Sequence, residues 1–229
     1  MAKRTEEVRL EQKKGFFLVY VDKEIRVDFE LLRRHIETTE KFAEEQEKKI
    51  EDNGNQEYDS FSQARLGDHS YGHHEFVRTL RNNAFVSAVS LLEAHFRMLV
   101  DYLPKKPKLE VEELSGDSLR KPFIYLTSVL GYDLSVVEKG LKELMRYYKF
   151  RNRIVHHLGS ISIDKSVDDH HQNDLFRFLK AFDSIEIWGN GRVTITGKTF
   201  TEDFINKAER FLIDCHKVLA DDYLGKPKT

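Results

Sequence analysis

Thiol is nearly absent from this chain. Its one cysteine, Cys215, can form no internal disulfide and no zinc site built on several thiolates. Proline is scarce, at 4 in 229 residues, and glycine stands at 12, which favours long uninterrupted helices. The longest apolar run, Phe16-Phe17-Leu18-Val19-Tyr20-Val21, is too short to span a bilayer or to form the core of a secretory signal. No P-loop, G-x-G-x-x-G, G-x-S-x-G or H-E-x-x-H pattern occurs. The expectation is a soluble, cytoplasmic protein with no membrane partner.

What is present is core material and charge. Apolar residues make up 40% of the chain, with 16 Phe and 9 Tyr, enough to build a core and to argue against global disorder. Charged residues make up 33%, and the net charge of −2 conceals two unequal patches. Between Glu37 and Asp59 acidic residues dominate; between Ser135 and Gly159 basic ones do.

The pattern predicts an all-α protein, a bundle of four long helices plus short ones, with one β-hairpin. Residues 1–22 read as an N-terminal extension with a poorly ordered, charged start, 23–223 as a single domain and 224–229 as a tail. Phe16 to Val21 fits a short strand or the first turn of a helix. The first helix is expected from Lys23 to Asp52, on the stripe Ile25, Phe29, Leu32, Ile36, Ala43 and Ile50, closed by Asn53-Gly54. Residues 54–72 read as a long loop. A second helix, His73 to Leu103, buries Phe76, Leu80, Ala84, Ala88, Leu91, Leu92, His95, Leu99 and Leu103, and Pro104 and Pro107 end it. A shorter helix runs from Ser118 to Leu130.

The third long helix starts at Ser135 with Glu138 three residues on, the pattern of a capping box, and stops at Gly159. A short helix is expected near Asp174 to Phe182. Ile185–Trp188 and Val193–Thr196 flank Asn190-Gly191, a strong hairpin signal. The last helix, Thr201 to Tyr223, buries Phe204, Ala208, Phe211, Leu212, Cys215 and Leu219. Trp188 and Tyr148 read as core residues.

The third helix poses a physical problem. Its stripe is Leu141, Leu144, Tyr148, Val155 and Leu158, and the position that would continue it is filled by Arg151. A guanidinium on a buried face is costly unless it is paired or meets a solvated cleft. Asn152 and His156 stand four apart on the adjoining face. Lys139, Lys142, Arg146, Lys149 and Arg153 recur at spacings of three and four and draw a basic stripe beside His156 and His157. Cations near a helix C-terminus complement its dipole, which accounts for Arg151 and Arg153 but not for Lys139 in the first turn.

The string Phe150-Arg151-Asn152-Arg153-Ile154-Val155-His156-His157 resembles the signature of the HEPN superfamily. That signature is an Arg, commonly followed by a polar residue, and then a His after four to six intervening residues, late in a helix of an all-α bundle. Arg151 and His156 match the four-residue spacing and His157 the five-residue one, so both histidines remain open. The helix from Asn83 to Leu103, with Leu91-Leu92-Glu93-Ala94, is similar to the one that precedes the motif helix in such proteins. The likeness extends over roughly residues 73–223.

The resemblance implies a metal-independent endoribonuclease, acting as a toxin or antiviral defence effector, with RNA as substrate and with no cofactor. It implies a homodimer in which two motifs form one composite cleft, and a possible cognate inhibitor or antitoxin. In that chemistry the substrate's 2′-hydroxyl attacks the phosphate. His156 is then the general acid or base, with His157 as alternative, since an imidazole titrates near neutrality. Arg151 binds the phosphate and the charge growing on it, with Asn152 orienting one of the two. Lys139, Lys142, Arg146, Lys149 and Arg153 hold flanking phosphates.

Rival expectations use the same residues. Arg151 could pair with Glu93 or another buried carboxylate and only fix packing, or that carboxylate could support the site by orienting the Arg, and His156 could satisfy late helix carbonyls. The module could be non-catalytic and bind a protein, nucleotide or RNA partner. His69, His73 and His74, and Asp168-Asp169 with His170-His171, are the candidates for a metal site. His69 and His73 have helical i, i+4 spacing, but Gly72 intervenes, no H-E-x-x-H pattern exists and adjacent histidines face apart, so no metal is expected.

Overall fold

Helix-period stripes dominate the chain, and helices dominate its fold. A computed structural model describes the backbone of residues 2–54, 60–103, 110–163 and 173–223. Side chains are described for 15–17, 19, 21–49, 74–103, 110–163 and 173–221. The chain is all-α with one small hairpin. The helices are α1 (Ala2–Gly54), α2 (Ser60–Tyr102), α3 (Arg120–Ile124), α4 (Ser135–His157), α5 (Asp174–Lys180) and α6 (Thr199–Tyr223). The strands β1 (Ile185–Ile187) and β2 (Val193–Ile195) pair antiparallel, with Ile185 opposite Ile195 and Ile187 opposite Val193. No helix among the described residues is long and apolar enough to cross a membrane.

Several boundaries differ from the expected ones. Helix α1 starts at Ala2, so the charged beginning is helical, and the run Phe16–Val21 lies inside the helix. Phe17 and Val21 extend the stripe of Ile25, Phe29, Leu32 and Ile36, all buried, which is why the helix does not begin at Lys23. Helix α2 starts at Ser60, so most of the expected loop is helical in spite of Gly67 and Gly72. An interior glycine costs a helix only about 1 kcal/mol relative to alanine. Residues 55–59, Pro104, Pro107, residues 164–172 and the tail lie outside the described residues.

The expected helix from Ser118 divides. Pro122 sits in the first turn of α3, and the chain then widens into a π-helical turn over Tyr125–Val129 before Gly131 takes φ +84°. At the start of α4 the acceptor is Asp133, whose carboxylate takes the Ser135 amide at 3.1 Å. Glu138 turns to Lys142 at 2.8 Å instead of closing a capping box.

The residues divide into two compact units. The first comprises residues 1–31, 89–145 and 205–229. Its core holds Phe29, Leu92, Phe96, Leu144, Phe211 and Leu212, with Phe96 edge-on to Phe211 at 5.1 Å. Cys215 is fully buried there, and burial pushes its thiol well above the usual range, with the Asp214 charge adding to the effect.

The second unit comprises residues 32–88 and 146–204. Its centre is a cluster of rings. Tyr147 packs against Phe178, Phe200, Phe204 and Phe182, and Phe85 against Phe150 and Phe200, with centroids 4.8 to 6.1 Å apart. The Tyr147 hydroxyl donates to Asp203, which satisfies the one polar atom of the ring.

Candidate active site

Helix α4 carries the site because its two faces differ within the second unit. Tyr147 and Phe150 are buried among the rings, which fixes the rotation of the helix. The opposite face then presents Lys149, Asn152, Arg153, His156 and His157 to an open cavity of about 630 Å3. Ile161 and Ser162 after the helix, and Asn173, Asp174 and Leu175 at the start of α5, complete its lining. Both histidines are exposed, and Asn152 and Arg153 are half-buried.

Arg151 does not line this cavity. It is half-buried and donates from Nη1 to the Asn152 Oδ1 at 3.1 Å. With its oxygen so engaged, the Asn152 amide has its NH2 donors left for the cavity. Of the expected basic stripe, Lys149 and Arg153 reach the cavity. Arg146 pairs with Asp174 at 3.7 Å and lies over the Phe178 ring at 5.8 Å. Lys139 and Lys142 are exposed and belong to the first unit, Lys142 pairing with Glu138. Glu93, also in the first unit, accepts from the Ser118 hydroxyl.

The stripe beyond Arg151 leaves the core. Val155 is 47% exposed and Leu158 77% exposed, where both were expected inside. Leu158 lies past the helix end and takes φ +51°, and Gly159 follows at φ +80°. These two left-handed residues turn the chain, with the Gly159 amide donating to the Arg153 carbonyl and the Ser160 amide to the His157 carbonyl, each at 2.9 Å.

The hairpin receives the chain after this turn. Ser160 bridges to Arg192, the Ile161 amide donates to the Gly191 carbonyl at 2.8 Å, and the Val193 amide to the Gly159 carbonyl at 3.2 Å. Gly191 takes φ +83°, and a Cβ there would collide with the Ile161 carbonyl, so glycine is required. The Asn190-Gly191 signal thus forms a three-residue loop closed by a Trp188-to-Arg192 pair. On the far side Asn173 caps α5 through the Phe176 amide at 3.0 Å and donates to the Ser162 carbonyl at 2.8 Å.

A second cavity, of about 590 Å3, lies in the same unit between the polar face of the hairpin and α2. Arg78, Arg81 and Arg192 line it and would suggest an anion site, but each meets a carboxylate. Arg81 binds Glu40 and Glu47, both at 2.7 Å, and Arg78 and Arg192 share Glu75. Burial alone would push the Glu75 carboxyl up, but the two guanidiniums outweigh it and hold it below the usual carboxylate range. Trp188, expected in the core, is 52% exposed at this cavity, and Phe76 is 45% exposed. Phe76 stands edge-on to Phe42 at 6.2 Å.

Sequence reasoning missed Glu75, Arg78, Arg192 and Asn173. They act on main-chain atoms and on one another across up to 117 residues, which no local spacing reveals. Glu40 did leave a signal, since it fills the gap between Ile36 and Ala43 in a buried stripe, as Arg151 does in its own. Among the described residues no group of three His, Cys, Asp or Glu side chains is placed to hold a metal ion. The side chains of His69 and His73, and residues 168–171, lie outside the described residues. Comparison with protein-family models, with curated proteins and with solved structures yields no match.

Proposed function

We propose that this protein is a metal-independent endoribonuclease of HEPN type. The observation that carries the proposal is the open cavity in which two exposed imidazoles stand with an amide and two cations on one helix face. RNA supplies its own nucleophile, so cleavage requires a group that exchanges protons near neutrality and fixed positive charge around the phosphorus. His156 or His157 removes the 2′-hydroxyl proton or returns one to the leaving 5′-oxygen. Lys149 and Arg153 hold the phosphates on either side.

The geometry alters one assignment. Arg151 donates to Asn152 and does not line the cavity, so in this reading it aligns the Asn152 amide, which would donate to the phosphate. One chain offers one pair of imidazoles. Twofold pairing would bring a second pair and divide the acid and base roles between copies. A role as a toxin or defence effector, held in check by a cognate inhibitor, goes with the HEPN resemblance.

Incubation with total RNA in EDTA tests the proposal. Fragments ending in 2′,3′-cyclic phosphate support it, and RNA that stays intact at all protein concentrations refutes it. One observation favours a second reading: a half-buried Arg151 that does not line the cavity suits a module that binds RNA without cutting it. Retention of intact RNA by the protein would select that reading.

A further inference from the structure

The hairpin and its polar contacts have no part in the chemistry above, yet they converge on the end of the helix that carries the histidines. We propose that Glu75 is a positioning residue for that helix end, acting through Arg78 and Arg192. This rests on the nuclease proposal for its catalytic consequence, but not for its geometry.

A single carboxylate joins three elements. Glu75 on α2 takes Arg78, one turn on, at 2.7 Å, and with its other oxygen takes Arg192 of the hairpin. Arg78 in turn donates from Nη1 to the Leu158 carbonyl at 3.2 Å. The Arg192 backbone pairs with Ser160. The two arginines therefore grip the chain on both sides of Gly159, directly after His156 and His157.

The gripped segment does not hold its own shape for free. A non-glycine residue in the left-handed region is strained by the clash of its Cβ with the backbone. Leu158 is 77% exposed and so gains little from packing in return. The Leu158 carbonyl that Arg78 holds belongs to the strained residue itself. Glu75, Arg78 and Arg192 also remain partly open to solvent, at 29%, 14% and 28% side-chain exposure. Val193 and Ile195 of the hairpin are buried, an apolar anchorage separate from the Glu75 contacts. Loss of the Glu75 charge should thus loosen the turn and not unfold the sheet.

Looser placement of a catalytic group by about 1 Å can cost on the order of 100-fold in rate. The experiment compares wild type with Glu75→Gln, Glu75→Asp and Arg192→Gln. RNA cleavage is measured as separate kcat and KM, and amide hydrogen exchange at Gly159, Ser160 and Ile161. Glu75→Gln should lower kcat about 10-fold or more with KM within about 2-fold, and should speed exchange at the three amides. Glu75→Asp should recover part of both, and Arg192→Gln should repeat the loss from the hairpin side. Arg192→Gln also decides the matter if Glu75→Gln does not fold.

Wild-type kcat together with unchanged exchange in Glu75→Gln or Arg192→Gln overturns the proposal. So does an equal fall in stability and activity with no local change in exchange. If the wild-type protein cuts no RNA, the nuclease proposal fails by itself. Exchange at the three amides then still decides whether Glu75 holds the turn: faster exchange in the variants supports it, and an unchanged rate ends it.

Discussion

Arg81 and Glu40 meet at 2.7 Å with 5% and 8% of their side chains exposed, a buried ion pair between α2 and α1 within the second unit. Glu47 completes the coordination of the same guanidinium from the solvent side. Burial opposes the charge on Arg81, and the two carboxylates more than restore it. Removing one partner leaves the other charge buried alone. Arg81→Ala should therefore destabilise by about 3–5 kcal/mol, read by denaturant unfolding. The double variant Arg81→Met with Glu40→Leu should lose far less, since two apolar side chains can fill the space of a buried pair.

Replacing His156 and His157 tests the catalytic assignment without a stability penalty to confuse it. Both are exposed, so each alanine variant should stay within about 0.5 kcal/mol of wild type. Loss of the working imidazole should lower RNA cleavage by about 10²–10⁴-fold. The single variants tell which histidine works, and the double variant should be inert even if one can stand in for the other.

Salt dependence reports the phosphate contacts. For single-stranded RNA the logarithm of the binding constant should fall with the logarithm of salt concentration, by about 0.7 per neutralised phosphate. Lys149→Gln and Arg153→Gln should each make that slope shallower by about 0.7 and weaken all sequences alike. An unchanged slope in both would place the RNA elsewhere.

Cys215 makes a built-in unfolding probe, because it is the only thiol and is fully buried. Burial raises its pKa, so raising the pH from 7 to 9 should scarcely increase its reaction with a disulfide reagent, whereas an exposed thiol would ionise across that range. Labelling in urea should rise only with the global transition, followed by absorbance.

Leu158→Gly should stabilise the protein. The left-handed backbone costs leucine roughly 1–2 kcal/mol, and glycine returns about 0.5–1 of it through its extra freedom in the unfolded chain. A rise of about 0.5–1 kcal/mol should appear in thermal or denaturant unfolding.

Much of this was legible in the residues because it is local. The stripe Phe204, Ala208, Phe211, Leu212, Cys215, Leu219 is buried at every position, and Asn190-Gly191 marks its hairpin within a residue. The lysine, asparagine, arginine and histidines of one α4 face do share a cavity, as their spacing requires. What escaped was non-local or ambiguous. A short apolar run such as Phe16–Val21 has no period of its own, and its helix is settled by the stripe that continues it. Val155 and Leu158 keep the helical spacing but outrun the ring cluster, which ends at Phe150. The Glu75 contacts join residues far apart in the chain and leave no periodic trace.

The ring cluster under α4 has an evolutionary consequence. Tyr147 and Phe150 are wedged among aromatic side chains from α2, α5 and α6, and any change of volume there would disturb several partners at once. The solvent half of the same helix bears no such constraint. Replacing exposed Lys149 there would leave the scaffold beneath it undisturbed. Substitutions on that side would reshape the cavity lining and leave the interior untouched.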